Sequence, residues 1–152
     1  MPSIAGFTTW LTAVMGLSTA AMASAAPVIP IAYNVALAVV NTDLCAAPNP
    51  SGVDDYSIYS LAVYNLGGDR LVNYVQDIPP DTTFADARLK YNVTNFLAGV
   101  VQASSDDGTG QTLTVPEAFQ NLTIMDLNNI ATPWGRQYLA FAQDTGTLWG
   151  IS

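Results

Sequence analysis

No Asp, Glu, Lys or Arg occurs before Asp43. The preceding stretch, Met1 to Thr42, is rich in Ala, Val, Leu and Ile, so it must be cleaved, cross a membrane, or be buried in a fold. Ala23-Ser24-Ala25 followed by Ala26 resembles a small-residue cleavage site after the apolar run Trp10 to Met22. The cationic start of an export signal is missing, because no Lys or Arg precedes that run. A span needs about 20 mostly apolar residues. Phe7 to Ala26 has the length but carries Thr8, Thr9, Thr12, Ser18, Thr19 and Ser24, and Val28 to Val40 is too short. Phe7, Leu11, Val14 or Met15, and Met22 recur at helical steps with threonines between them. The reading is therefore a folded apolar helix over residues 5–26, retained rather than cleaved and not spanning a membrane.

Composition narrows the remaining classes. A chain of 152 residues is read as a single domain that buries roughly two thirds of its unfolded surface. The single cysteine, Cys45, rules out a disulfide framework within the chain. Histidine is absent, which removes histidine-based triads and the usual zinc sites. Twelve acidic residues against Arg70, Arg88, Lys90 and Arg136 give a net charge of -8, too few cations to hold nucleic acid by counterion release. Acidity is compatible with a conduit that surrounds DNA without gripping it, and equally with simple solubility.

Pro27 and Pro30 separate the first helix from a second, about Pro30 to Asp43, with Tyr33, Leu37, Val40 and Leu44 on one stripe. A third is expected from Asp54 or Asp55, as cap, to about Gln76. Gly67-Gly68 inside it implies a kink or a close crossing. Asp77 to Pro80 breaks the chain, and Asp81, Thr82 or Thr83 caps a short helix with Phe84, Ala87 and Tyr91. Val100 to Val115 reads as extended around the Ser104 to Gly110 turn, and Leu113 and Val115 alternate as a returning strand. Asp106-Asp107-Gly108 lacks the acceptor spacing of an EF-hand loop. Thr123 with Asp126 resembles a capping box, and Thr132-Pro133 starts a helix that runs to Asp144. The fold class expected is mainly α: a small helical bundle with a short β hairpin or extended loop.

No nucleophile and base can be placed together by spacing, no glycine loop follows an expected strand, and the carboxylates are scattered. The reading is non-enzymatic, without metal, cofactor or catalytic residues. Gly146 to Ser152 carries Leu148, Trp149 and Ile151, and is read as a docking tail, 146–152.

The order of elements resembles the head-tail adaptor, or head-completion, proteins of tailed bacteriophages. Ile29 to Leu44 is similar to that family's early helix, and Tyr59-Ser60-Leu61-Ala62-Val63-Tyr64-Asn65-Leu66 to its long central helix. Ala98 to Asp106 resembles the segment entering its loop, and Leu122 to Leu139, above all Thr132-Pro133-Trp134-Gly135-Arg136-Gln137-Tyr138-Leu139, its closing helix. The resemblance implies a virion structural protein at the head-tail junction. It would form a homo-oligomeric ring between a portal protein and a tail or second connector protein, encircling DNA without binding it tightly. Candidate subunit-interface residues are Phe7, Trp10, Leu11, Asp106, Asp107, Trp134, Arg136, Tyr138, Leu148, Trp149 and Ile151. The alternative is an exported or surface structural or adhesive protein, extracellular, with a signal peptide cleaved near Ala25. In that setting Asn92-Val93-Thr94 and Asn121-Leu122-Thr123 are legal glycosylation sequons.

Overall fold

In the computed structural model the described residues are 1–46, 57–93, 103–106, 109–112 and 128–145, with the side chains of 46, 103–106, 109–112 and 144–145 excepted. Six α-helices are present among them: α1 (Ile4–Ala13), α2 (Thr19–Ala25), α3 (Ile29–Val39), α4 (Ile58–Tyr74), α5 (Thr83–Lys90) and α6 (Pro133–Thr145), with a 3-10 turn at Thr42–Ala46. Helix α4 is the central element, packed most extensively against α6 and α3.

The expected fold class is corrected: among the described residues the architecture is an all-helical bundle, and no strand forms a layer of it. Ala103–Asp106 and Thr109–Thr112 pair antiparallel with each other, Ser104 opposite Gln111. A ribbon of two four-residue segments is too short to make an independent sheet. The apolar alternation of Val100, Leu113 and Val115 lies outside the described residues, and the paired segments themselves, ASSD and TGQT, offer little apolar surface.

The single helix expected over 5–26 is also corrected, to two. Gly16 adopts φ +69, the left-handed conformation that an L side chain disfavours. The amide of Leu17 returns to the Leu11 carbonyl at 3.2 Å. Ser18 then caps a new helix, its hydroxyl accepting the Ala21 amide at 3.1 Å. In α3 the inward stripe is Ile29, Ala32, Tyr33 and Ala36, whereas Leu37 is exposed.

Helix α4 runs unbroken through Gly67-Gly68, so the pair serves a close crossing rather than a kink. A Cβ on Gly67 would stand 2.8 Å from Phe7 Cζ, and one on Gly68 2.9 Å from Trp10 Cζ3. The missing side chains make room for the aromatic rings of α1. Phe7 lies 5.7 Å from Tyr64 and 5.9 Å from Tyr33, ring centre to ring centre. Both tyrosine hydroxyls tie down the chain's start: Tyr64 Oη accepts from the Ser3 amide at 3.1 Å, and Tyr33 Oη donates to the Pro2 carbonyl at 2.9 Å.

The connection from α4 to α5 is a reciprocal cap. Asp77 accepts the amides of Phe84 and Ala85 at 2.9 and 2.7 Å, taking the capping place expected of Asp81, Thr82 or Thr83. Arg88 donates back to the carbonyls of Val72 and Val75 at the end of α4, at 2.9 and 2.7 Å. Ser57 caps α4 by accepting from the Ser60 amide at 3.1 Å. The alternative caps Asp54 and Asp55, and the Thr123/Asp126 box, lie outside the described residues.

Candidate functional site

Three features remain once packing is accounted for: a buried polar latch, an apolar cleft beside it, and an uncharged outer face. The latch joins α4 to α6. Asp69 is fully buried; its Oδ1 accepts from the Thr132 hydroxyl at 2.5 Å and its Oδ2 from Arg70 Nη1 at 3.2 Å. Arg70 Nη2 donates to Asn129 Oδ1 at 3.0 Å, while its buried Nε has no hydrogen-bond partner among the described residues. The Thr132 oxygen also accepts the Gly135 amide at 3.0 Å, so one hydroxyl both caps α6 and binds it to α4. A Cβ on Gly135 would run into the Asn129 carbonyl. Burial pushes the Asp69 carboxyl up to about 6, against the opposing pull of the Thr132 hydrogen bond and the Arg70 charge. Fully buried, this carboxyl serves to hold α6 against α4.

The cleft encloses about 400 Å³ between the α1–α2 turn, α4, α5 and the start of α6. Met15, Val72 and Phe84 give it an apolar lining, and Trp134 and Tyr91 meet edge to face at 5.7 Å between ring centres. Asp86 and Lys90, both exposed, stand at its edge. Lys90 Nζ lies 5.5 Å from the Tyr91 ring centre.

The outer face belongs to the charge-free region. Ile4, Val14, Ile31, Leu37 and Val39 are exposed there, Ile31 at 56%. On α1 the hydroxyls of Thr8, Thr9 and Thr12 donate to the Ile4, Ala5 and Thr9 carbonyls. Their polarity is turned back into their own helix.

Of the expected interface residues, Phe7, Trp10 and Leu11 are 0%, 7% and 0% exposed. This is a correction: they are spent on the protein's own core because Gly67 and Gly68 admit them. Trp134 walls the cleft, and Tyr138 packs against the core from α6. Arg136 is exposed and donates to the Ile130 carbonyl at 2.9 Å, anchoring its own helix start. Asp106 lies at the end of a paired segment, its side chain undescribed. Asp107, Leu148, Trp149 and Ile151 lie outside the described residues. Asp69 and Arg70 were missed, although an adjacent acid and base beside Gly67-Gly68 in a helix with few other charges was a usable signal.

Among the described residues no group of three or more His, Cys, Asp or Glu side chains is placed to hold a metal ion. No single helix there is long and apolar enough to cross a membrane, but Thr19–Ala25 with Ile29–Val39, bent by 69°, passes that test as a pair by length and composition. No family model matches the chain, and no curated protein or solved structure matches it.

Proposed function

We propose that this protein is a structural component that works by forming protein contacts, as a ring-forming connector between the head and tail of a virus around the path of its DNA. The observation that carries an assembly role is the uncharged outer face, where Ile4, Ile31, Leu37 and Val39 meet solvent in a segment without a single charged side chain. Exposed apolar side chains in an uncharged segment are of the kind that subunit contacts bury. The connector reading draws its specific content from the sequence resemblance. It is supported by the way the cations are used: Arg70 is buried, Arg88 and Arg136 donate to carbonyls, and Lys90 leans over Tyr91. Little positive charge is left for phosphates, which suits a passage and not a grip.

A second reading, an exported or surface structural protein, is favoured by the bent apolar pair Thr19–Ala25 and Ile29–Val39 together with Ala23-Ser24-Ala25. On localisation this pair speaks for the second reading more directly than any described feature speaks for the virion. Against cleavage stands the burial of Phe7, Trp10 and Leu11 in the core, and the use of Ser24 Oγ to accept the Ile78 amide at 3.1 Å. Intact mass of the natural product separates the two: a chain starting at Met1 or Pro2 fits the connector, one starting at Ala26 or Pro27 fits export. For assembly itself, Ile31→Glu with Leu37→Glu, both at exposed positions, should abolish self-association in sedimentation velocity while leaving the helical circular dichroism intact. A wild-type chain that stays monomeric at all concentrations contradicts the assembly role.

A further inference from the structure

We infer that the cleft between α5 and the start of α6 binds a small aromatic carboxylate, its ring system against Trp134 and Tyr91 and its carboxylate at Lys90. This goes beyond the assembly reading and does not rest on it. A cleft of about 400 Å³ lies within the range of small-molecule pockets, which join an apolar lining to a few placed polar groups. The lining here is aromatic and soft: buried Phe84, half-buried Trp134 and Tyr91 edge to face at 5.7 Å, and the Met15 thioether. Edge-on ring contacts and sulfur–ring contacts favour a flat aromatic guest over a plain hydrocarbon chain.

The charge of the guest follows from how the four basic side chains are used. Arg70 is held by Asp69 and Asn129, Arg88 by the Val72 and Val75 carbonyls and Asp77, and Arg136 by the Ile130 carbonyl. Among the described residues Lys90 has only the ring of Tyr91, with Nζ 5.5 Å from the ring centre. Asp86 stands one turn before it on α5, yet the ion pairs among the described residues are Arg70 with Asp69 and Arg88 with Asp77. Asp86 Oδ2 accepts instead from the Thr82 hydroxyl at 2.9 Å. Nor is the Lys90 ammonium drawn back to the end of its own helix. With Asn92 at φ 52, the carbonyls of Ala87, Arg88 and Leu89 are taken by the amides of Tyr91, Val93 and Asn92 at 3.0, 2.9 and 3.1 Å. The Thr83 hydroxyl, also in the lining, donates to Asp81 at 2.7 Å. A cation with its donors uncommitted therefore stands at the edge of an aromatic cleft, and its complement is an anion carried on an aromatic body.

The test titrates the full-length chain with 2-naphthoate and with its neutral amide, following the Trp134 indole N–H by nitrogen-correlated NMR. That signal is identified by its loss in Trp134→Phe. Saturable shifts are expected with both guests, the carboxylate binding about three- to fivefold more tightly, the measure of an ion pair at an exposed edge. Lys90→Gln, a change at an exposed position, should abolish that preference and leave the affinity for the amide unchanged. Asp86→Asn should widen the preference by removing a like charge, and about 1 M salt should erase it. Ala87→Phe, which fills the cleft, should weaken both guests while the helical circular dichroism is kept. No saturable shift in the wild-type chain overturns the inference, as does equal affinity for the two guests or a preference that survives Lys90→Gln.

Discussion

Phe7 fills the space that a side chain on Gly67 would occupy: its Cζ stands 2.8 Å from the position of a Cβ there. Gly67→Ala must therefore displace a fully buried ring, and should destabilise the fold by about 1–3 kcal/mol. Phe7→Ala should cost about 3–5 kcal/mol. Phe7→Leu combined with Gly67→Ala should cost less than the two changes summed, because the smaller side chain makes room. Urea denaturation of wild type, Gly67→Ala, Phe7→Leu and the double variant, with Phe7→Ala measured beside them, checks this, and full additivity would mean that ring and glycine are not in contact.

Deleting Pro2 to Ala25 removes Phe7, Trp10 and Leu11 from the core and the partners of Gly67, Gly68 and Tyr64. Loss of Phe7 and Trp10 at about 3–5 kcal/mol each and of Leu11 at about 2–5 kcal/mol is comparable to the whole stability of a typical domain. The truncated chain should show no cooperative thermal unfolding. A sharp transition like that of the full chain would instead favour cleavage near Ala25.

Thr132→Ala removes a helix cap, worth about 0.5–2 kcal/mol. It also strips a hydrogen bond from buried Asp69, at about 1–3 kcal/mol. A loss of roughly 2–4 kcal/mol in chemical denaturation is expected, with Thr132→Ser close to wild type because the hydroxyl is kept. Gly135→Ala should be at least as damaging, since its methyl group meets the Asn129 carbonyl backbone and not a movable side chain.

The Asp69 carboxyl, pushed up to about 6 by burial, binds a proton more tightly in the folded than in the unfolded chain, where its ordinary value is 3.8. Between those values the folded state holds the extra proton, so this group's contribution is fully present below about pH 4 and is lost as pH rises through about 6. The change is on the order of 3 kcal/mol between those limits. Stability measured by urea titration at several pH values should fall from pH 4 to pH 7 more steeply in wild type than in Asp69→Asn. Equal slopes would show that Asp69 does not titrate in this range.

Local chemistry was legible wherever it depends on neighbours in sequence. Thr132-Pro133 marked the start of α6, and Gly67-Gly68 marked either a kink or a close crossing, of which the structure has the crossing. The break at Gly16 was also written locally, as a glycine followed two residues later by the cap Ser18, but the apolar run across it masked the signal. What could not be read depends on distant partners. Asp77 caps α5 from outside because the chain doubles back between two helices, and Asp69 with Arg70 acquires meaning only when α6 brings Asn129 and Thr132 against α4. Of the stripe expected on the second helix, Tyr33, Val40 and Leu44 are buried and only Leu37 is exposed; the buried Ala32 and Ala36 carried too little side chain to mark the inward face. Of the cleft's lining, only Trp134 was expected at an interface; Met15, Phe84, Ala87 and Tyr91 were read as helix-stripe residues, and what could not be read is that α4, α5 and the α1–α2 turn bring them together.

Imaging of purified virions with an antibody against this chain tests the connector role most directly. Label confined to the junction of head and tail is the expected result. Label missing from that junction, and found instead on the surface of cells, would contradict the connector role and establish the exported alternative.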